Sequence, residues 1–350
     1  MKLFRCDHCG HTVYFENVSC ENCGHRLGYV PEIADLVSLD ADEIAWTSPR
    51  VPGKRFVFCA NAVQGACNWL LPSEPGGPVF CRACRHNETI PPLTSPQMIS
   101  QWQTIERAKH RLFYSLIEFG LPLATRTENP EHGLSFRFLA DIEDKPVMTG
   151  HENGIITIAL AEADDAERER RRTNMGEPYR TLLGHFRHEI GHHYWDLLVD
   201  GGPFIDEFRT LFGDERPDYG EALKRHYEQG PPLDWQHNFI SAYATSHPWE
   251  DFAETWAHFM HLTDTLETAS AYGVGVHPEV DSDGKLASEF RFDPYRTTDI
   301  DTLVEKWVPL ASLLNNLNRS MGLADAYPFV LTPKVIEKLG FIQRLIQSRR

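Results

Sequence analysis

The chain has 350 residues, with 34 Lys and Arg against 50 Asp and Glu and a formal net charge of -16. That excess of negative charge disfavours broad binding to nucleic acid or to an anionic membrane surface. No apolar run approaches the ~20 residues of a membrane helix, and Met1-Lys2-Leu3-Phe4-Arg5-Cys6 lacks the apolar core of a signal peptide, so a cytoplasmic protein long enough for two domains and a sizeable core is expected.

All eight cysteines lie in the first 84 residues. Cys6-x-x-Cys9 and Cys20-x-x-Cys23 are two knuckles separated by ten residues, each followed by a glycine (Gly10, Gly24) that lets backbone amides turn toward the thiolates. Four thiolates at such spacing close a tetrahedron around one zinc. Cys59, Cys67, Cys81 and Cys84 suggest a second site of four cysteines. Cys81-x-x-Cys84 is its one regular knuckle, His86 is a possible substitute ligand, and free buried thiols at Cys59 and Cys67 are the alternative. Neither site would keep an open coordination position, so both are read as structural zincs that supply folding free energy to a loop-rich unit. Residues 1–95 carry eight Lys or Arg and ten Asp or Glu. Without a basic excess, protein recognition or scaffolding is the expected use, and Phe56, Phe58, Trp69 and Phe80 are expected to form a small core rather than a base-stacking platform.

A proline-marked linker at 87–96 leads into a helix expected over 97–119, with Trp102, Ile105, Leu112, Phe113 and Leu116 as its buried stripe and Glu106, Arg107, Lys109 and Arg111 as a solvated face. A β-rich stretch follows. Residues 134–139 alternate, and 145–149 and 154–160 read as a hairpin about Gly150-His151-Glu152-Asn153-Gly154. Residues 155–160 are a candidate edge strand for pairing with an extended peptide, an internal strand being the alternative. Residues 162–172 mix charge signs as a surface segment or flap, and Glu177-Pro178 is expected to open the next helix.

That helix carries His188-Glu189-Ile190-Gly191-His192, an H-E-x-x-H pattern, among Leu182, Leu183, Phe186, Ile190, Tyr194, Leu197 and Leu198 at helical spacing. His188 and His192 then share one face a turn apart and can aim two imidazole nitrogens at one zinc ion. Glu189 sits beside them, placed to take a proton from a water that the metal acidifies toward a pKa of ~7. A third ligand is required. The extended pattern that adds Gly and His fails at Trp195 and Leu198, and a glutamate about twenty residues on is replaced by Leu211. Short helices are expected at 204–212 and 219–227. A longer one begins near Pro248 and gathers Glu250, Glu254, His258 and His261 on one face, with Phe252, Trp256, Phe259 and Met260 on the rest. A metal would offset the cost of burying such carboxylates. Residues 277–294 read as a polar loop, and helices at 300–321 and 334–346 close the chain.

H-E-I-G-H together with Tyr243, six residues, and Glu250-Asp251-Phe252-Ala253-Glu254 resembles the catalytic core of gluzincin peptidases of the lethal-factor type. The chain as a whole resembles bacterial zinc-binding metallopeptidases with an N-terminal zinc ribbon. The first resemblance covers about 40 residues in two pieces; the second covers most of the chain. They imply an α+β protein with a zinc-ribbon domain at 1–90 and a mostly helical, zincin-like metallopeptidase domain with a small β-sheet at 96–350. They imply Glu250 as third ligand, Tyr243 as the group facing the scissile carbonyl oxygen, and Glu254 holding a ligand histidine. The expected function is zinc-dependent peptide-bond hydrolysis, with one catalytic and two structural Zn2+, a protein or peptide substrate, and a protein partner for the ribbon. The other reading is a zinc-ribbon binding module whose second domain keeps zinc without catalysis. For the third ligand itself the alternatives are that Glu250 is only a first-turn acid held by the helix dipole, or that His258 or His261 is the ligand.

Overall fold

The computed structural model describes residues 1–141, 147–175 and 181–349. The chain divides into two compact units, one of Met1–Glu118 and Leu123–Arg170, the other of Phe119–Pro122 and Arg171–Arg350. The first is β-rich and the second almost wholly helical, giving an α+β architecture.

In the first unit, β1 (Phe4–Arg5) and β2 (Thr12–Val13) form a two-stranded ladder. An antiparallel meander follows: β3 (Arg26–Val30), β4 (Asp35–Asp42), β5 (Ala45–Thr47), β6 (Arg55–Phe58) and β7 (Leu70–Pro72) pair in chain order. Val30, Val37, Leu39, Phe56 and Leu70 fill its core, with Trp46, Val51 and Phe58 against them. The rings of Phe4, Phe15, Tyr29, Trp69 and Tyr114 form a second cluster. Phe80, expected in this core, is instead 41% exposed. Next come β8 (Asn87–Thr89) and helix α1 (Pro96–Phe119). The expected stripe of α1 is fully buried. Of its expected solvated face, Arg107 and Arg111 are exposed, but Glu106 and Lys109 are both 0% exposed. They pair with each other at 2.9 Å, and Asn87 donates to Glu106 at 2.6 Å. Mutual pairing is what lets two charges leave water.

Strands β9 (Ser135–Leu139), β10 (Gly150–Glu152) and β11 (Ile155–Ala159) join β8 in a sheet of order β10-β11-β9-β8. The hairpin turns at Asn153-Gly154, both at positive φ (49° and 78°), as a tight two-residue turn demands. Its first strand is thus Gly150–Glu152, beyond the 145–149 expected; of that stretch, 145 and 146 lie outside the described residues. Strand β11 is antiparallel to β10 on one side and parallel to β9 on the other. The expectation of a free edge at 155–160 is therefore corrected, because both backbone edges are already paired. Helix α2 (Asp165–Met175) covers the mixed-charge stretch.

The second unit is built around α3 (Leu182–Leu198) and α6 (Pro248–Tyr272), with α4 (Ile205–Phe212) and α5 (Tyr219–Gln229) between them in sequence. The expected start at Glu177-Pro178 lies outside the described residues; the observed cap is Thr181, whose hydroxyl accepts from Gly184 N at 3.0 Å. Helix α6 begins with Pro248 at its first turn and ends at Gly273 in the left-handed conformation (φ 63°). At Gly191 α3 and α6 approach closely: a Cβ there would sit 3.0 Å from Ala253 Cα and 3.2 Å from Trp256 Cβ. A short ladder of β12 (Gly275–Val276) and β13 (Ser288–Glu289) precedes α7 (Ile300–Ser320) and α8 (Pro333–Gln347). Buried Asp251 and Lys338, 2.6 Å apart, tie α6 to α8. Among the described residues no helix is long and apolar enough to cross a membrane.

Candidate metal and catalytic centre

The close approach of α3 and α6 brings together side chains from distant stretches, with 57 residues between His192 and Glu250. His188 Nε2 lies 3.2 Å from His192 Nε2 and 3.0 Å from Glu250 Oε2; His192 Nε2 lies 3.5 Å from the same oxygen. Donors at 2.0–2.1 Å around a tetrahedral zinc stand about 3.3 Å from one another, so the three atoms already hold the spacing of three ligands. Glu250 is 1% exposed. Its Oε2 receives no hydrogen bond among the described residues and faces only the two imidazole nitrogens. A buried oxygen left this way is costly unless a cation completes it.

The neighbours hold these donors in place. His188 Nδ1–H donates to Glu254 Oε1 at 2.8 Å, which fixes the tautomer with Nε2 free to bind metal. Glu254 Oε2 in turn accepts from Ser241 Oγ at 2.6 Å. Tyr219, the first residue of α5, donates its hydroxyl to Glu250 Oε1 at 2.5 Å, leaving Oε2 available to a cation. The indole of Trp249 packs on the His192 ring, centroids 3.9 Å apart. Tyr243 sits in the short turn Tyr243–Thr245 before α6, its ring 6.0 Å from that of His188 and its hydroxyl beside Tyr219. Glu189 is 9% exposed next to His188.

The site's electrostatics follow from burial and from this pairing. Burial pushes the Glu189 carboxyl above its usual range, against the pull of His188 and His192. Burial acts the same way on Glu250, but the two imidazoles outweigh it and hold that carboxyl well below the usual range. Burial raises the Tyr243 phenol, reinforced by Glu250 and Tyr219, so it remains a proton-bearing donor at neutral pH.

His258 and His261, weighed as ligands from sequence, are turned elsewhere. His258 Nδ1 is 2.8 Å from the Tyr327 hydroxyl, and His261 Nδ1 meets the Arg187 guanidinium, which also pairs with Asp264. Tyr219, Ser241 and Trp249 were not singled out from sequence: they lie in no motif, and only the folded path through α5 and the turn before α6 brings them to the site.

In the first unit all eight cysteines are free thiols grouped in two fours. Cys6 and Cys23 Sγ are 3.6 Å apart, as are Cys9 and Cys20; Cys67 and Cys81 are 3.7 Å apart. Sulfurs at ~2.3 Å from a tetrahedral zinc stand about 3.8 Å from each other, so both groups fit that ion. His86, considered as a substitute ligand, instead sets its Nδ1 3.0 Å from the Leu134 carbonyl.

Comparison with known proteins adds the decisive observation. Residues 98–345 match the family described as "Putative zinc-binding metallo-peptidase", and residues 3–95 match a zinc-ribbon domain. The chain belongs to this metallo-peptidase family. Uncharacterized proteins of Mycobacterium bovis and Mycobacterium tuberculosis are each 41% identical to it over 350 residues, covering 99% of this chain and 96% of theirs. No solved structure matches it. With the H-E-x-x-H pair, the downstream glutamate and the family match, this metallo-peptidase is a zinc-dependent hydrolase of peptide bonds.

Proposed function

We propose that His188, His192 and Glu250 hold the catalytic zinc of a gluzincin of the lethal-factor type, that Glu189 is the general base, and that Tyr243 donates to the developing oxyanion. The observation that carries this reading is the convergence of the three donor atoms, 3.0 to 3.5 Å apart, on one buried spot. A zinc ion held there supplies Lewis acidity, lowering the pKa of a water toward ~7 and polarising a carbonyl. Glu189 takes the proton of the attacking water and passes it to the leaving amine, a role its position beside the two imidazoles suits. Tyr243 hydrogen-bonds the oxygen on which charge develops, and Glu254 keeps the His188 ring aligned.

The two cysteine groups are structural zincs in this reading, giving three zincs per chain. The ribbon, residues 1–90, serves as scaffold and as recruiter of a protein partner to the peptidase domain at 96–350, in the cytoplasm. The test is Glu189→Gln. That chain keeps its full zinc complement, measured by metal analysis, while its rate on a peptide library falls by ~10²–10⁴, the usual worth of a general base. Cleavage by the variant at the wild-type rate refutes the mechanism.

A further inference from the structure

One buried imidazole in the first unit has no part in the chemistry above. His110, on α1, is 4% exposed. Its Nδ1 lies 2.6 Å from the Glu106 carbonyl oxygen. A carbonyl only accepts, so Nδ1 carries the proton, and the lone pair is left on Nε2. This is the way ligating histidines are oriented by their second nitrogen. That Nε2 stands 3.2 Å from Cys67 Sγ, 3.6 Å from Cys84 Sγ and 3.9 Å from Cys81 Sγ. The Trp69 ring, 5.1 Å away, braces the imidazole edge-on.

Around one zinc, a nitrogen at ~2.05 Å and a sulfur at ~2.3 Å in tetrahedral arrangement stand about 3.6 Å apart, the middle of the three observed separations. His110 therefore completes a tetrahedron on the face made by Cys67, Cys81 and Cys84. Cys59 completes another, since those four sulfurs also lie within 4.8 Å of one another. Glu106 is also within reach of Cys84 and His110, but its carboxylate is engaged by Lys109 and Asn87. We propose that the second ribbon centre has five donors rather than four: Cys67, Cys81 and Cys84 form a shared base, and His110 is an alternative fourth ligand that takes the zinc when the Cys59 thiolate is lost. Its donors then come from both matched stretches, four cysteines from 3–95 and one histidine from 98–345. Helix α1 is thereby tied to the ribbon by a metal bond in reserve.

The test counts zinc in the full chain as a difference from wild type, so it does not depend on the catalytic centre. Cys59→Ala and His110→Ala each keep the wild-type count, whereas the double variant holds one zinc fewer. Cys84→Ala also holds one fewer, because it breaks the shared base. Cobalt in Cys59→Ala gives the ligand-field spectrum of three sulfurs and one nitrogen. A second measurement needs no cysteine variant: His110→Ala surrenders a ribbon zinc to a competing chelator at least about tenfold faster than wild type, the usual size of such an effect on a metal site. Loss of one zinc from Cys59→Ala alone, or equal release rates for wild type and His110→Ala, overturns the proposal.

Discussion

Replacing Glu254 removes a residue that, in the proposed centre, is not a ligand but holds one. The carboxylate takes the His188 Nδ1–H at 2.8 Å and the Ser241 hydroxyl at 2.6 Å. Glu254→Ala leaves both donors without acceptors and frees the imidazole to rotate. A hydrogen bond to a charged group is worth ~1.5–3 kcal/mol, which corresponds to about 10–100-fold in affinity, the range found for such partners of metal ligands. Glu254→Gln is milder. Its amide oxygen still accepts from Nδ1–H and its NH2 can donate to Ser241 Oγ, so only the charge is lost and the effect stays below about tenfold. The assay is zinc affinity of the labile site by competition with a chromophoric chelator, alongside kcat/KM on a peptide substrate. The expected order is wild type, then Glu254→Gln, then Glu254→Ala, in both. An alanine variant with wild-type zinc affinity and unchanged kcat/KM refutes the argument that this carboxylate orients His188.

Tyr219→Phe deletes the bond to Glu250 Oε1 and should weaken zinc binding by about tenfold, from the worth of one hydrogen bond to a carboxylate; wild-type affinity would show the phenol to be incidental. His258 is held by burial at a pKa of about 4, below the ~6.5 of an unfolded chain. The unfolded state then binds more protons, so stability present above pH ~6.5 is lost as the pH falls toward 4, by about 2 kcal/mol at pH 5. His258→Phe should flatten that part of the denaturation profile between pH 7 and 5, and a profile parallel to wild type counts against it. Lys338→Met strands Asp251, which burial already lifts to about 7 against the pull of Lys338. The loss should be ~3–5 kcal/mol above neutral pH and shrink toward acid as Asp251 takes a proton; urea melts at pH 8 and pH 5 check both the size and the trend.

Much of the centre was legible because its signals are local. Two histidines four residues apart share a helix face by geometry alone, and Cys-x-x-Cys spacing is set by the turn that holds the metal. Pro248 and Gly273 mark the ends of α6 through fixed backbone preferences. What stayed hidden depends on packing between distant segments. Tyr219 reaches Glu250 across 31 residues. Glu106 and Lys109 read as surface charges until a mutual ion pair and Asn87 bury them. The place of β11 inside its sheet follows from β9 pairing parallel to it, which no local periodicity encodes. The proposed third ligand lay between these cases: a helix face narrowed it to four donors, and the approach of α3 to α6 beside Gly191, with His258 and His261 engaged by Tyr327 and Arg187, favours Glu250.

Anomalous diffraction at the zinc absorption edge from crystals of the full chain tests the central claim most directly. The account predicts a peak about 2.0–2.2 Å from His188 Nε2, His192 Nε2 and a Glu250 carboxylate oxygen, in addition to peaks within the cysteine groups. Peaks confined to the cysteines of zinc-replete crystals, with none between α3 and α6, would contradict it.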